Sequence, residues 1–338
     1  MTFKERYQQY IVQLKASLNQ IEDIELAKKR LTLIRWKAIE NLDKLLFEFE
    51  TNVKKTDSQI LWCPDSTKTL ESLNQLLSKY NKVNFYHHKS VKQMAMDSDI
   101  KIPEMSEQPD AVVIGAKFII ANTGNFYTYL NNKTEYEQVL SAKKIIVIAG
   151  IDSILPSQNH LPLAKQMYSL FETGKMSYPI ELLSRAGKPK GLNSDISLLL
   201  LDCGRSHVIE NPVFRPLSYL MNFDLPPVCP LEQFQTDDNY WKQVNSLDYF
   251  IYPFMHDVSV FKSHFDNNYG LGILNHYLPL DIDLENLVME ARHLSHKNEK
   301  NNVFAQLLDT DKSNLIFNPK KFKDPKQFKK YSNAYFFK

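Results

Sequence analysis

The sequence predicts an α/β domain whose mostly parallel sheet is layered with helices, with a helical arm before it and an irregular C-terminal extension after it. Three observations carry this expectation. Two apolar runs, residues 145–151 and 196–201 (the latter with one Ser), have the length of buried strands and fall far short of a bilayer span. Strand-like and helix-like segments alternate between Gln59 and Asp202, the order that winds a parallel sheet. A chain of 338 residues with 43% hydrophobic content can bury one large core, or one core plus a small appendage.

In the arm, Phe3, Tyr7, Tyr10, Leu14, Leu18 and Ile21 recur at helical spacing. A second stripe of Ile34, Ala38, Leu42, Leu45 and Phe49 predicts one longer helix over residues 26–53. Both stripes read as packing faces, against the main domain or a partner. Residues 59–63 read as a strand, and residues 64–80 as a helix capped near Asp65 or Ser66. A strand over 83–87 leads to a short element at Lys89 and Ser90. Strands follow over 110–121, 126–130 and 144–149, then a helix over 161–173 and a strand over 196–202. Residues 174–194, with Gly174, Gly187, Pro189 and Gly191, are expected to form a long loop. Beyond Asp202 the alternation stops and prolines cluster at 212, 216, 226, 227 and 230. The expected organisation is an arm (1–55), an α/β domain (56–207), an extension (208–318) and a tail (319–338).

Composition narrows the function. A net charge of +2 gives no global field for nucleic acid or an anionic membrane. The cysteines, Cys63, Cys203 and Cys229, are odd in number and widely spaced, which argues against a disulfide framework and for a reducing cytoplasm. The N-terminal segment is charged and amphipathic and lacks the apolar core of a signal peptide, so a cytoplasmic location is expected. No phosphate-loop or dinucleotide glycine motif occurs. His256, Asp257, His264 and Asp266 have metal-binding chemistry without metal-binding spacing, so no metal site is expected. The lysine-rich, aromatic residues 319–338 suit RNA or a lipid surface in composition; a solvated terminus is the commoner meaning, and neither nucleic acid nor a membrane span is expected.

Particular phrases carry a resemblance. Residues 111–121 end in the turn Asn122-Thr123-Gly124, and Gly150, Ile151, Leu155 and Pro156 follow the strand over 144–149. This pattern resembles the LUD domain, in which the turn reads Glu-Thr-Gly. From about residue 26 to about 292 the chain resembles more closely the iron–sulfur subunit of the bacterial L-lactate utilization system. Matching phrases are the helical start at 35–50 with Asn41-Leu42-Asp43, the pair Lys89-Ser90, the run Leu201-Asp202-Cys203-Gly204-Arg205-Ser206, and Pro212 with Phe214-Arg215. The resemblance implies the layered fold shared by sugar-phosphate isomerases and CoA-transferases, of NagB/RpiA type.

The chain departs from that family where redox chemistry would reside. Of the first run of cluster cysteines only Cys229-Pro230 remains, with Leu220, Phe223, Leu225 and Pro226 in the neighbourhood of the missing ligands. In the second, Gly272 and Pro279 hold their places while Leu271, Leu274 and Leu278 replace thiolates. A [4Fe–4S] cluster needs cysteine thiolates at set spacing, and three separated cysteines cannot hold one. No cofactor is therefore expected, and the extension is read as a degenerate ferredoxin-like appendage with a hydrophobic core in place of its metal. Asn122 stands for the family's glutamate, removing the carboxylate that would serve as nucleophile or base. Asn132, Lys133, Thr134, Tyr136, Ala142 and Ile145 stand where the family has Glu, Gly, Asn, Arg, Pro and His.

The candidate ligand-binding residues are Lys89, Ser90, Asn122, Thr123, Gly124, Asp202, Gly204 and Arg205, with no catalytic residue assigned. Lys and Ser at a strand end suit an anion, alongside His87 and His88; an ordinary polar strand end is the alternative. Arg205 suits a carboxylate clamp, the alternative being a structural pair with an aspartate. Cys203, close to His207, reads as an inert buried thiol rather than a nucleophile. Two functions follow. The first is a non-redox, non-catalytic accessory homologue of the lactate-utilization subunit, binding partner subunits or a small anionic metabolite. The second is an enzyme or metabolite-binding protein acting on a phosphorylated or CoA-linked small molecule.

Overall fold

A computed structural model describes residues 3–56, 58–86, 89–97, 105–187, 194–226, 255, 272–287 and 289. Cys229, His87, His88, the His256–His264 region, Leu271 and the tail 319–338 lie outside the described residues. Two compact units are present. One comprises Lys37–Lys165 with Ser177–Arg205, and the other Met1–Trp36, Gln166–Met176 and the described residues from Ser206 onward.

The first unit holds two sheets. Strands β1 (Ile60–Cys63), β2 (Val83–Phe85), β3 (Ala111–Gly115), β6 (Lys144–Gly150) and β9 (Asp195–Leu201) form a wholly parallel sheet in the order β1-β9-β6-β3-β2. Strands β4 (Phe118–Ile120), β5 (Asn125–Leu130), β7 (Ile154–Leu155) and β8 (Ile180–Arg185) form a mixed sheet in the order β7-β4-β5-β8. β3 and β6 are buried along their whole length, as expected for strands covered on both faces. The α/β architecture with a mostly parallel sheet is therefore the one the sequence predicts.

Connecting helices are α3 (Leu42–Lys54), α4 (Ser66–Leu77), α5 (Lys89–Asp97) and α6 (Lys133–Ser141). Asp65 caps α4 by accepting from the Lys68 N–H at 2.7 Å, and Asn132 caps α6 by accepting from Glu135 N–H at 2.9 Å. Leu73, Val91, Met94, Val113, Ile146, Ile148, Leu199 and Leu201 pack into one apolar cluster that also holds Cys63 and Cys203.

Four expectations are corrected. The single helix over 26–53 is two, α2 (Ile24–Glu40) and α3, because Asn41 leaves helical geometry (φ −109°, ψ 28°) between them. The single strand over 110–121 is β3 and β4 in different sheets. The Ala116 N–H still donates to Ile148 O of β6, whereas the Lys117 N–H already donates to Tyr127 O of β5. The loop over 174–194 contains β8; Gly174 (φ +77°) and Gly187 (φ +100°) take left-handed turns, and Gly191 lies outside the described residues. The short element at Lys89-Ser90 is the start of the nine-residue helix α5, and α6 was not expected at all.

The second unit is helical in its described part: α1 (Phe3–Leu18), the start of α2, the end of α7 (Leu161–Thr173), the bulk of α8 (Arg205–Glu210), α9 (Arg215–Ser218) and α10 (Gly272–Asn275). Tyr10 donates to Phe171 O and Ser17 to Gly174 O, tying α1 to the end of α7. Leu220, Phe223, Leu225 and Pro226 are buried, as are Leu274, Leu278 and Pro279. The described positions among those read as replaced cluster ligands are thus filled by buried apolar side chains.

Candidate functional site

Because β1, β9, β6, β3 and β2 run parallel, their carboxyl ends lie along one edge of the sheet, and ligands of open α/β sheets bind outside that edge. The chain places charged side chains there. Lys89 and Ser90 follow β2, Lys117 follows β3, Asp152 follows β6, and Asp202 and Arg205 follow β9. Lys89, Lys117, Asp152 and Arg205 are all at most 3% exposed. A buried charge is retained only where a partner or ligand compensates it.

Arg205 has its partner in Asp152. Its Nε–H donates to Asp152 Oδ1 at 2.9 Å, and its Nη1–H donates to the Asp202 carbonyl at 3.0 Å. The structural aspartate–arginine pair is therefore real, with Asp152 as its carboxylate. Gly150 makes room for it, since a Cβ there would stand 2.2 Å from Asp152 Oδ1 and 2.5 Å from Arg205 Nε.

Cys203 and Gly204 form the tight turn before α8, both left-handed at φ +46° and +83°. Cys203 is the one described non-glycine residue with positive φ, and it is buried. Its Sγ lies 3.6 Å from Thr69 Oγ1. Burial pushes the neighbouring Cys63 thiol up from its ordinary value, against the lowering effect of hydrogen bonds from Ser72 and Thr69. Such a thiol is a poor nucleophile.

Ser90 donates to Ile148 O of β6 at 3.3 Å, which fixes the start of α5 over the sheet edge. Lys117 lies over the Tyr129 ring, its Nζ 5.9 Å from the centroid, and Tyr129 stacks on Tyr178 with centroids 3.9 Å apart. Lys117 and Asp152 were not singled out in the sequence. Following each apolar run to the first charged residue past its carboxyl end would have found them.

The Asn122-Thr123-Gly124 turn belongs to the other sheet, between β4 and β5. Asn122 Nδ2 donates to Ser157 Oγ at 3.2 Å, and its Oδ1 accepts the Gln158 N–H at 3.1 Å. The Thr123 hydroxyl accepts the Asn125 N–H. Gly124 is left-handed (φ +68°), and a Cβ on it would stand 2.9 Å from the backbone of Asn52 and Val53 in α3. The eight sequence candidates thus fall into two groups: Lys89, Ser90, Asp202, Gly204 and Arg205 at the parallel sheet edge, and the turn residues in a hydrogen-bonded loop of the mixed sheet. Among the described residues no group of three or more His, Cys, Asp or Glu side chains could hold a metal ion. No described helix is long and apolar enough to cross a membrane.

No protein-family model matches the chain, and no curated protein matches it. Among solved structures it is similar to a DUF162 family protein from Deinococcus radiodurans, determined at 1.70 Å resolution. The alignment covers 47% of this chain and 98% of that one, at 12% identity and a TM-score of 0.33. A similarity of that size carries no inference of family or activity.

Proposed function

We propose that the protein binds a small anionic metabolite, phosphorylated or carboxylate-bearing, at the carboxyl edge of its parallel sheet, and that it does so as a non-redox, LUD-like scaffold. The observation that carries this reading is the burial of Lys89, Lys117 and Arg205 past three strand ends of one sheet. Buried cations at a strand edge favour an anion by charge and by the hydrogen-bond donors they supply. Arg205, paired with Asp152, acts as the frame, and Lys89 and Lys117, buried past the ends of β2 and β3, are the residues proposed to meet the ligand.

The test is a thermal-shift titration with phosphorylated, CoA-linked and carboxylate metabolites. A binder at about one hundred times its Kd stabilises the native state by about 2.7 kcal/mol. Lys89→Ala and Lys117→Ala are expected to weaken that shift, read for each variant against its own melting temperature without ligand. A panel that moves the melting temperature of neither wild type nor variants overturns the reading.

The accessory, electron-free role rests on Leu274 and Leu278, apolar and wholly buried where thiolates would be required. Stoichiometric iron with a cluster absorption band in anaerobically purified protein would overturn it.

A further inference from the structure

We infer that strand β8 is a docking edge for a second copy of this chain, two copies joining their mixed sheets by antiparallel β8–β8 pairing. In the order β7-β4-β5-β8, β8 is terminal, paired with β5 on one side and with no described strand on the other. It is six residues long, whereas β7 at the opposite end has two. Sheet edges are commonly blunted by charges of one sign, above all lysine, by proline or by a bulge; the two charges of β8, Glu181 and Arg185, are of opposite sign. Over Ile180–Arg185 the sequence has neither lysine nor proline, and the pairing with β5 runs without a bulge.

The sequence of β8 is complementary to itself. Glu181, Leu183 and Arg185 alternate along the strand and so share a face. A two-fold axis perpendicular to the sheet makes directly opposed residues share a face. With the axis through Leu183, that leucine meets its own copy, and Glu181 meets Arg185 of the second copy on both sides. An axis through Leu182 would instead set Glu181 against Leu183, so the charge pattern selects one register.

Side-chain environments support the same register. Leu183 is 42% exposed, a large apolar side chain at the centre of the edge. Arg185 is exposed and engages only Nε in its described bond, donating to Asn125 Oδ1 at 2.8 Å; a guanidinium carries further donors. One Glu181 oxygen holds Lys165, and the side chain is 24% exposed, so a second guanidinium can join this ion pair from its accessible side. The pairing is isologous and closes on itself as a dimer.

Six residues a side make a small interface, so the expected Kd lies in roughly the micromolar range. Sedimentation velocity of the full chain from about 1 to 200 μM should show a monomer–dimer equilibrium. Arg185→Glu, which opposes carboxylate to carboxylate, and Leu183→Lys should each weaken it at least about tenfold. Leu183→Cys should form a dimer disulfide under mild oxidation, and Leu182→Cys and Ser184→Cys should not. A wild type that stays monomeric throughout overturns the inference. So does a dimer indifferent to Arg185→Glu and Leu183→Lys, or a dimer in which Cys at 183 fails to cross-link.

Discussion

Arg205 and Asp152 form an ion pair between the ends of two parallel strands, Nε to Oδ1 at 2.9 Å, with both side chains 2% exposed. Taking two charges out of water is costly, so such a pair holds position more than it adds net stability, and breaking it leaves a buried charge. Asp152→Ala or Arg205→Ala should therefore destabilise the protein by about 3–5 kcal/mol, whereas the paired change Asp152→Leu with Arg205→Met should cost far less. Urea denaturation of the three variants measures this directly.

Gly150 is demanded by that pair rather than by its own backbone. Its φ of −72° suits any residue, yet a Cβ would fall 2.2 Å from Asp152 Oδ1. Gly150→Ala should cost about 1–3 kcal/mol through overpacking. In a background lacking both side chains, Asp152→Ala with Arg205→Ala, most of that cost should vanish, which a mutant cycle treating the pair as one site would reveal.

Gly124 is demanded on both counts. Its left-handed φ penalises any Cβ by about 1–2 kcal/mol, and the α3 backbone stands 2.9 Å from where that Cβ would be. Gly124→Ala should lower the melting temperature clearly. Asn122→Ala should lower it less, because its bonds to Ser157 and Gln158 are exposed to water.

His160 gives the fold a pH dependence of known sign. Burial, and secondarily the charge of Lys37, holds its imidazole below the ordinary value of 6.5. In the window between the folded value and 6.5 the unfolded chain binds more protons than the native one. Stability therefore rises with pH across that window and is lost as pH falls through it. His160→Gln should flatten this part of the profile; denaturation midpoints of both proteins between about pH 5 and 8 provide the comparison.

The readable part of the fold was the part written in local pattern. Residues 145–151 and 196–201 became adjacent strands of the parallel sheet because continuous apolar runs of that length suit strands covered on both faces. Asp65 became a helix cap because its carboxylate meets the Lys68 N–H whatever the tertiary context. β8 was hidden, since its side chains are only partly buried and its pairing with β5 is non-local. Asn41, one polar residue in a helical stripe, gave no warning that α2 and α3 are separate. Of the candidate site at the parallel sheet edge, Lys89, Ser90, Asp202, Gly204 and Arg205 were legible as charged or turn residues at strand ends, while Lys117 and Asp152 were not. Nothing local marks which strand ends become neighbours.

By itself the sequence determined the alternation of strands and helices and the lack of cluster-ligand cysteines. Both are local properties of residue type and spacing. The tertiary structure alone decided the order β1-β9-β6-β3-β2, the choice of Asp152 as partner of Arg205, and the separation of the Asn122 turn from the parallel sheet edge. Those outcomes depend on which strands pair across long stretches of chain, and the energies that select them come from burying whole faces together rather than from any one residue's preference.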